Sequence, residues 1–448
     1  MSDLGSVSDQ PVSASVTLVH PSRARFAVLA LLAVAVTINY LDRAIVGIAA
    51  PSFKSEFHLD AATLGLMFSA FSWSYFAAQV PVGIMLDRLG PRIIYALALA
   101  GWSFFTLLQA FAGGIGALIG FRLGLGLSEA PCFPANSSIV GMWFPRRERA
   151  RAIGIYTAAE YIGLGFLSPV LFWILKAFGW RSLFVLTGSL GLLFALVWWI
   201  KYRDPDQSKT ANRAELAMIA MDGGIAAYGK HLIKFEWRHI AELFRHRQIW
   251  GLCIGQFSVY STFVFFLTWF PTYLASARHM GWIKVGFFTS LPYIAGFFGI
   301  LFAGWWSDYM LKRGCSLNLA RKLPVITGLL VASTIILANY VSNNVVVICI
   351  LSAAFFAQAM SSSGWAVISE VAPIDMMGLV GGLFSAAANL SGIVTPLVIG
   401  FMVQATGSFT GPLAFVGIVA AIGAFSWIFV IGDIRRVEIA NGRSRTAG

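Results

Sequence analysis

The chain has 448 residues, 58% of them hydrophobic and only 12% charged. Soluble proteins carry about 25% charged residues, so a water-soluble enzyme of this size is excluded, as is a disordered chain. The formal charge of +12 at pH 7 brings nucleic acid to mind, a reading that the placement of those charges removes.

In chain order, Met1 to Thr17 is polar and lacks the basic start and cleavage site of a signal peptide. Apolar segments follow at about 26–50, 62–83, 93–113, 115–143, 150–174 and 181–200. A polar stretch from Lys201 to Arg247 separates them from a second group at about 248–275, 284–306, 323–342, 345–371, 376–404 and 411–432. Each segment is long enough to cross ~30 Å of hydrocarbon, where only helices satisfy a single segment's backbone. The expected fold is therefore an all-α membrane protein of twelve transmembrane helices in two pseudo-symmetric six-helix halves. The boundaries read as a tail 1–21, an N-terminal half 22–200, a central loop 201–247, a C-terminal half 248–433 and a tail 434–448.

Lys and Arg set the orientation. With both termini cytoplasmic, inside segments carry 25 of the 32 basic residues and outside segments 5, while Arg43 and Arg122 fall within spans. This bias fixes the topology. It also assigns the net charge to loops facing anionic lipid, with no nucleic-acid partner. External loops are short and hold no Asn-x-Ser/Thr site, which points to a bacterial inner membrane.

The halves repeat a motif. Gly83-Ile-Met-Leu-Asp87-Arg88 follows the second span, and Gly304-Trp-Trp-Ser-Asp308 with Arg313 follows the eighth. Glycine there lets helices approach closely, and the acid and base can pair across a short turn. Recurrence six spans apart indicates two fused parallel halves. On these residues the chain resembles the major facilitator superfamily, whose inner-gate motif this is similar to.

Ionisable residues inside spans are expensive, about 2.5–3.5 kcal/mol each at a helix centre, and so mark function by default. Here they are Asp42, Arg43, Arg122, Glu129 and Glu160. Counting 1.5 Å per residue, Asp42 and Arg122 lie at similar depth with opposite sign, which makes them an expected pair. Glu129 and Glu160 lie near the midplane. Asp42 and Arg43 point ~100° apart on their helix and cannot share a task. Arg43 offers the fork of donors that suits a carboxylate, and Glu129, where water is scarce, reads as the proton carrier. The alternative is a permanent Arg43–Glu129 ion pair. Tyr40, Tyr75, Tyr260, Gln358, Trp365 and Asn389 lie at related depths, each open to a helix–helix or a solute role.

Catalytic signatures are missing. Neither a Walker A sequence nor a His-Glu-x-x-His motif occurs, and Cys132, Cys253, Cys315 and Cys349 form no metal or redox spacing. The chain reads as no enzyme, with no cofactor and no metal.

Asn39-Tyr40-Leu-Asp42-Arg43, Glu129-Ala-Pro131-Cys-Phe133-Pro134 and Trp143-Phe144-Pro145-x-x-Glu148-Arg149 are similar to the anion:cation symporter family within that superfamily. Gly179-Trp180-Arg181, Pro271-Thr-Tyr273-Leu274 and Arg321-Lys322 extend the likeness over about residues 22–435. The resemblance implies proton-coupled import of a small organic carboxylate (a sugar acid, an aromatic acid or another organic acid) by alternating access, in a monomer with protons as the coupling ion. It implies that Arg43 holds the substrate carboxylate, with Tyr75, Ser362, Trp365 and Asn389 completing the site, to which this chain's own Glu160 is added. Asp42 and Glu129 would be the protonation sites, Arg122 the partner of Asp42, and the two repeated motifs the gate. One position departs: sugar-acid members carry Gln where this chain reads Ala159-Glu160-Tyr161. The extra acid implies either a protonated Glu160 in the working state or a less hydroxylated, zwitterionic or aromatic substrate. The alternatives are a proton-coupled exporter or antiporter of amphiphiles, and a membrane sensor that transports nothing.

Overall fold

The structure is a computed structural model that describes residues 20–222, 237–373 and 376–437, with a few side chains inside helices, Gly83 and Asp87 among them, outside the described set. Among the described residues every regular element is helical. The first span, α1, is Ala24–Glu56. The next two expected spans form one run, Ala61–Gln109, bent at Gly90 with φ 76° and ψ 158°. We label its legs α2 (61–89) and α3 (91–109). Glycine takes that left-handed φ without a Cβ clash, so the chain reverses at a single residue before Pro91. Asp60 caps α2 by accepting from the Thr63 N–H at 2.7 Å, and bonds from Thr63 hold its carboxyl below the usual carboxylate range.

The fourth span, α4, is in two pieces, Ile115–Glu129 and Cys132–Trp143. Pro131 at the break has no N–H to return to the preceding turn. Then come α5, Arg146–Phe178, and α6, Trp180–Lys201, separated by Gly179 at φ 80°. The second group is α7 (Arg247–Thr268), α8 (Trp282–Lys312), α9 (Leu317–Tyr340), α10 (Asn344–Ile368), α11 (Met377–Thr406) and α12 (Thr410–Val430). Ten of the described helices are individually long and apolar enough to cross a membrane. The kinked α2 and the two-piece α4 bring the helical segments to the expected twelve. Large apolar side chains, including Leu97, Phe166, Trp173, Leu193, Phe298 and Phe401, are more than half exposed around the bundle. In water that belt would drive aggregation; against lipid it is the natural surface.

The packing repeats with the halves. α1 lies on α5 and α6, α2 on α4 and α3 on α6, while α7 lies on α11 and α12, α8 on α10 and α9 on α12. Tyr95 of α3 stacks on Trp198 of α6 with centroids 4.2 Å apart. Across the halves α2 meets α11, α5 meets α8 and α1 meets α7. At Gly65 a Cβ would meet the carbonyl of Pro396, and at Gly47 that of Leu267, so glycine sets these approaches. Nearby, Gln404 of α11 accepts from the Ala61 N–H of α2 at 3.0 Å. These contacts sit at the end of the bundle opposite the chain termini.

At the terminal end, a short helix, Arg213–Met221, folds back on the first half. Its Glu215 carboxylate is fully buried and accepts from the Ser22 hydroxyl at 2.6 Å, the Ala24 N–H at 3.0 Å and Arg25 Nη1 at 2.8 Å. Arg25 Nε reaches Glu148 at 2.9 Å.

Candidate functional site

α1 delivers two consecutive ionisable side chains into different surroundings. Arg43, 9% exposed, points toward α4 and α7. Its Nε donates to Glu129 Oε1 at 2.6 Å, and Nη2 donates to the same oxygen. Nη1 donates to the Tyr260 hydroxyl at 3.3 Å. The guanidinium lies over three aromatic rings, with centroids at 4.7 Å (Phe71), 5.2 Å (Tyr40) and 5.4 Å (Tyr75). Ring faces are the negative pole of the aromatic quadrupole, so this box supports a cation with little water around it. Glu129 is wholly buried beside the Asn39 amide, and its other oxygen, Oε2, closes no hydrogen bond.

Asp42 turns the other way. It is fully buried beside the Thr106 and Thr187 hydroxyls of α3 and α6, with neither carboxylate oxygen closing a hydrogen bond. The expected Asp42–Arg122 pair is not formed. Depth along the membrane gives each residue's height but not its direction around the helix axis. With Arg43 facing the interior, Asp42 is carried to the back of α1. Arg122 is instead held by α2, Nε donating to the Met67 carbonyl at 2.8 Å and Nη2 to that of Phe68 at 3.1 Å. Arg43 and Arg122 thus line one small cavity between the halves, together with Ser72 of α2, Tyr260 and Thr268 of α7, and Asn389 of α11.

Such a constellation, with buried cations beside a buried acid where two six-helix halves meet, belongs to a carrier rather than a catalyst. The Major Facilitator Superfamily family model matches residues 32–320. The chain belongs to the major facilitator superfamily. It is 41% identical over 434 residues to the "D-galactonate transporter" of Escherichia coli O6:H1, covering 96% of this chain and 100% of that protein. It is 40% identical to the "Probable galactarate/D-glucarate transporter GudP" of Bacillus subtilis, covering 93% of each. Among solved structures, a bacterial homolog of the human lysosomal transporter Spinster, inward-facing and occupied, aligns with TM-score 0.70 at 20% identity, over 91% of this chain and 97% of that one. The D-xylose-proton symporter aligns with TM-score 0.69 at 16% identity over the same shares. Both share the fold. Membership in this family of transporters means the chain is not an enzyme.

The remaining sequence-derived residues of this facilitator fall into three places. Tyr75 is buried under Arg43, and Asn389 is on the cavity wall with Nδ2 donating to the Ser385 carbonyl at 2.9 Å. Glu160 is 8% exposed, beside the Tyr40 hydroxyl, with Arg43 as the nearby cation. Ser362 and Trp365 lie further along α10 toward the terminal end, Ser362 near the Tyr161 hydroxyl and Trp365 edge-on to Phe384 at 4.7 Å and 48% exposed; neither lines the Arg43 cavity.

In the repeated motifs, the surroundings of Gly83 and the Asp87 side chain lie outside what the structure describes, and Arg88 and Gly304 are exposed. Among the described residues Asp308 forms no ion pair. Arg313 instead covers the Tyr309 ring at 4.8 Å, and Arg321 donates to the Ser307 hydroxyl at 3.2 Å. In the second motif, among the described residues, the expected acid–base pair is not formed: Arg313, five residues after Asp308, covers an aromatic face instead.

Sequence reasoning overlooked Ser72, Thr268 and the Glu215 network. Hydroxyls give no charge signal in an apolar run. Glu215 carried one: Asn212-x-x-Glu215 is a capping-box pattern, and Asn212 does accept the Glu215 N–H at 2.9 Å. The Glu215 side chain, however, reaches α1 rather than its own helix start.

Proposed function

We propose that this protein imports a sugar acid together with protons across a bacterial cytoplasmic membrane, as a monomer with both termini in the cytoplasm. The observation that carries the reading is Arg43, a buried guanidinium that faces a small cavity yet is occupied by Glu129. A carboxylate substrate must compete with Glu129 for the same donors. Protonating Glu129 removes the competitor, so proton and anion bind together and leave together. That is symport, because only the state carrying both ligands or neither has its charges balanced between the halves. Kinship with galactonate and galactarate/glucarate transporters supports the substrate class, and the hydroxyl, phenol and amide on the cavity wall suit a polyhydroxylated chain.

Roles follow on this reading. Tyr75 and Asn389 complete the inner site. Glu160 sets the charge beside Arg43. Ser362 and Trp365 act on the path toward the terminal end. Asp42 is a second protonation site behind α1, acting through the packing of α1 on α3 and α6. Gly83, Asp87, Arg88, Gly304, Asp308 and Arg313 form the gate at the cytoplasmic face. The close α1–α7 and α2–α11 contacts then lie at the outer face, the arrangement of a carrier closed to the exterior.

The test is uptake into proteoliposomes of the purified full chain. An inward-directed proton gradient drives accumulation of labelled galactonate or galactarate, a proton ionophore abolishes it, and Arg43→Ala lowers it at least ~100-fold, as loss of a buried charge-assisted pair costs 2–5 kcal/mol. Accumulation indifferent to the gradient, or intact in Arg43→Ala, overturns the reading.

A further inference from the structure

The end of the bundle opposite the termini carries a layer whose chemistry differs from that of the cavity. Gly65 of α2 and Gly400 of α11 meet backbone to backbone. A Cβ on Gly65 would lie 2.5 Å from the Pro396 carbonyl oxygen and 3.3 Å from the Gly400 Cα. One on Gly400 would lie 2.7 Å from the Ala61 carbonyl oxygen and 3.2 Å from the Gly65 Cα. One turn beyond Gly400, Gln404 accepts from the Ala61 N–H at 3.0 Å. One turn in from Gly65, the Phe68 ring stands edge-on to Trp269 at the end of α7, with centroids 5.3 Å apart. Phe68 and Pro396 already line the central cavity, so this layer is the wall between the cavity and that side of the membrane.

No charge fastens it. Among the described residues every ion pair lies within one half or the segments attached to it, and none joins the halves. Closure here is a matter of shape. Neither glycine has a left-handed φ, and inside a helix glycine is a poorer choice than alanine. What it supplies is the missing Cβ that lets two helices touch.

We propose that this layer is the outer gate, and that the bare contact of Gly65 with Gly400, fastened by Gln404, holds the carrier closed to the exterior, so that one methyl group there turns it to face outward. This rests on the reading above that places the layer at the outer face.

Added bulk acts on the state and not on the fold. Alanine suits each helix in either state, and the clash exists only while α2 and α11 touch. The atoms it meets are backbone, which cannot swing aside as a side chain can. Parting the halves at this end relieves the strain, and in a rocking carrier that closes the other end. A substitution that penalises only one state shifts the population to the other.

The test reads which side of the membrane reaches the cavity. Ser72→Cys puts a reporter on the cavity wall of the full chain. Its reaction with a membrane-impermeant thiol reagent is followed in right-side-out and inverted vesicles, above the level of the chain without the reporter. With the reporter alone, labelling should be faster in inverted vesicles. Adding Gly400→Ala should raise labelling in right-side-out vesicles at least ~tenfold, the readout of a tenfold shift in population, and lower it in inverted ones. Gly65→Ala should do the same. Gln404→Ala removes the hydrogen bond without adding bulk and should move the balance the same way by about fivefold. Gly382→Ala adds a methyl to α11 where a Cβ meets nothing within 4 Å and should change nothing. Should Gly400→Ala not fold, Gly65→Ala and Gln404→Ala decide. Unaltered sidedness in the folded glycine variants, or an equal shift in Gly382→Ala, overturns the gate. Labelling that rises in inverted vesicles instead keeps the layer as a gate and overturns the orientation beneath it.

Discussion

The two halves of the bundle share an architecture and divide the chemistry. Every buried charged side chain among the described residues precedes the second half: Arg25, Asp42, Arg43, Arg122, Glu129 and Glu160 lie in the first half, and Glu215 lies in the central segment that folds back on it. The second half meets the cavity with Tyr260, Thr268 and Asn389, and its buried polar groups are amides and hydroxyls such as Gln256, Gln358 and Ser391. Duplication therefore preserved packing while charge stayed on one side. A buried ion must be balanced by partners that do not move away from it, and Arg43 with Glu129 bridges α1 and α4 of a single half. Neutral hydrogen-bonding groups tolerate separation better, since water can replace a lost partner at small cost. The interface between the halves is thus charged on one wall and neutral on the other.

That contrast can be broken or sharpened by substitution. The largest effect is expected at Glu129. Glu129→Gln should still bind sugar acid and catalyse exchange, but lose at least ~100-fold of gradient-driven accumulation, read as uptake against counterflow in proteoliposomes. Strong pH-driven uptake by that variant would remove Glu129 from proton coupling. Next is Glu215→Ala, which leaves Arg25 paired with Glu148 alone and the buried Ala24 N–H without its acceptor. Breaking such a pair costs about 3–5 kcal/mol, so thermal unfolding in detergent should shift down by several degrees while sugar-acid affinity holds. The smallest is Tyr260→Phe in the neutral wall. It removes one long hydrogen bond to Arg43, 3.3 Å, worth about 1 kcal/mol. Substrate affinity should fall about fivefold without altering proton dependence. A loss at Tyr260 as large as at Glu129 would erase the distinction between the walls.

Much of this was legible in the residues. Twelve apolar segments, the 6+6 division and the intramembrane ions follow from hydrocarbon thickness and the cost of charge within it. The immediate neighbours of Arg43 were not all within reach of such reasoning. Height along a helix is readable from residue count, but rotation about its axis depends on which neighbour the helix packs against. That is why Asp42 and Arg122, matched in depth, face different helices. Glu215 lay hidden in a polar segment, where charge is ordinarily solvated and uninformative. Ser72 and Thr268 matter only through position, which a pattern of hydroxyls in apolar runs does not encode.

One detail of the Arg43–Glu129 contact bears on the order of events. Both donors from Arg43 fall on Oε1, leaving Oε2 idle in the interior. On the symport reading, an incoming proton has a landing place that the arginine does not occupy. Loading need not wait for the guanidinium to let go, and the guanidinium need never stand bare. The carboxyl group can change state first and release its grip afterwards, a two-stroke sequence in which acidification primes the carrier before cargo arrives.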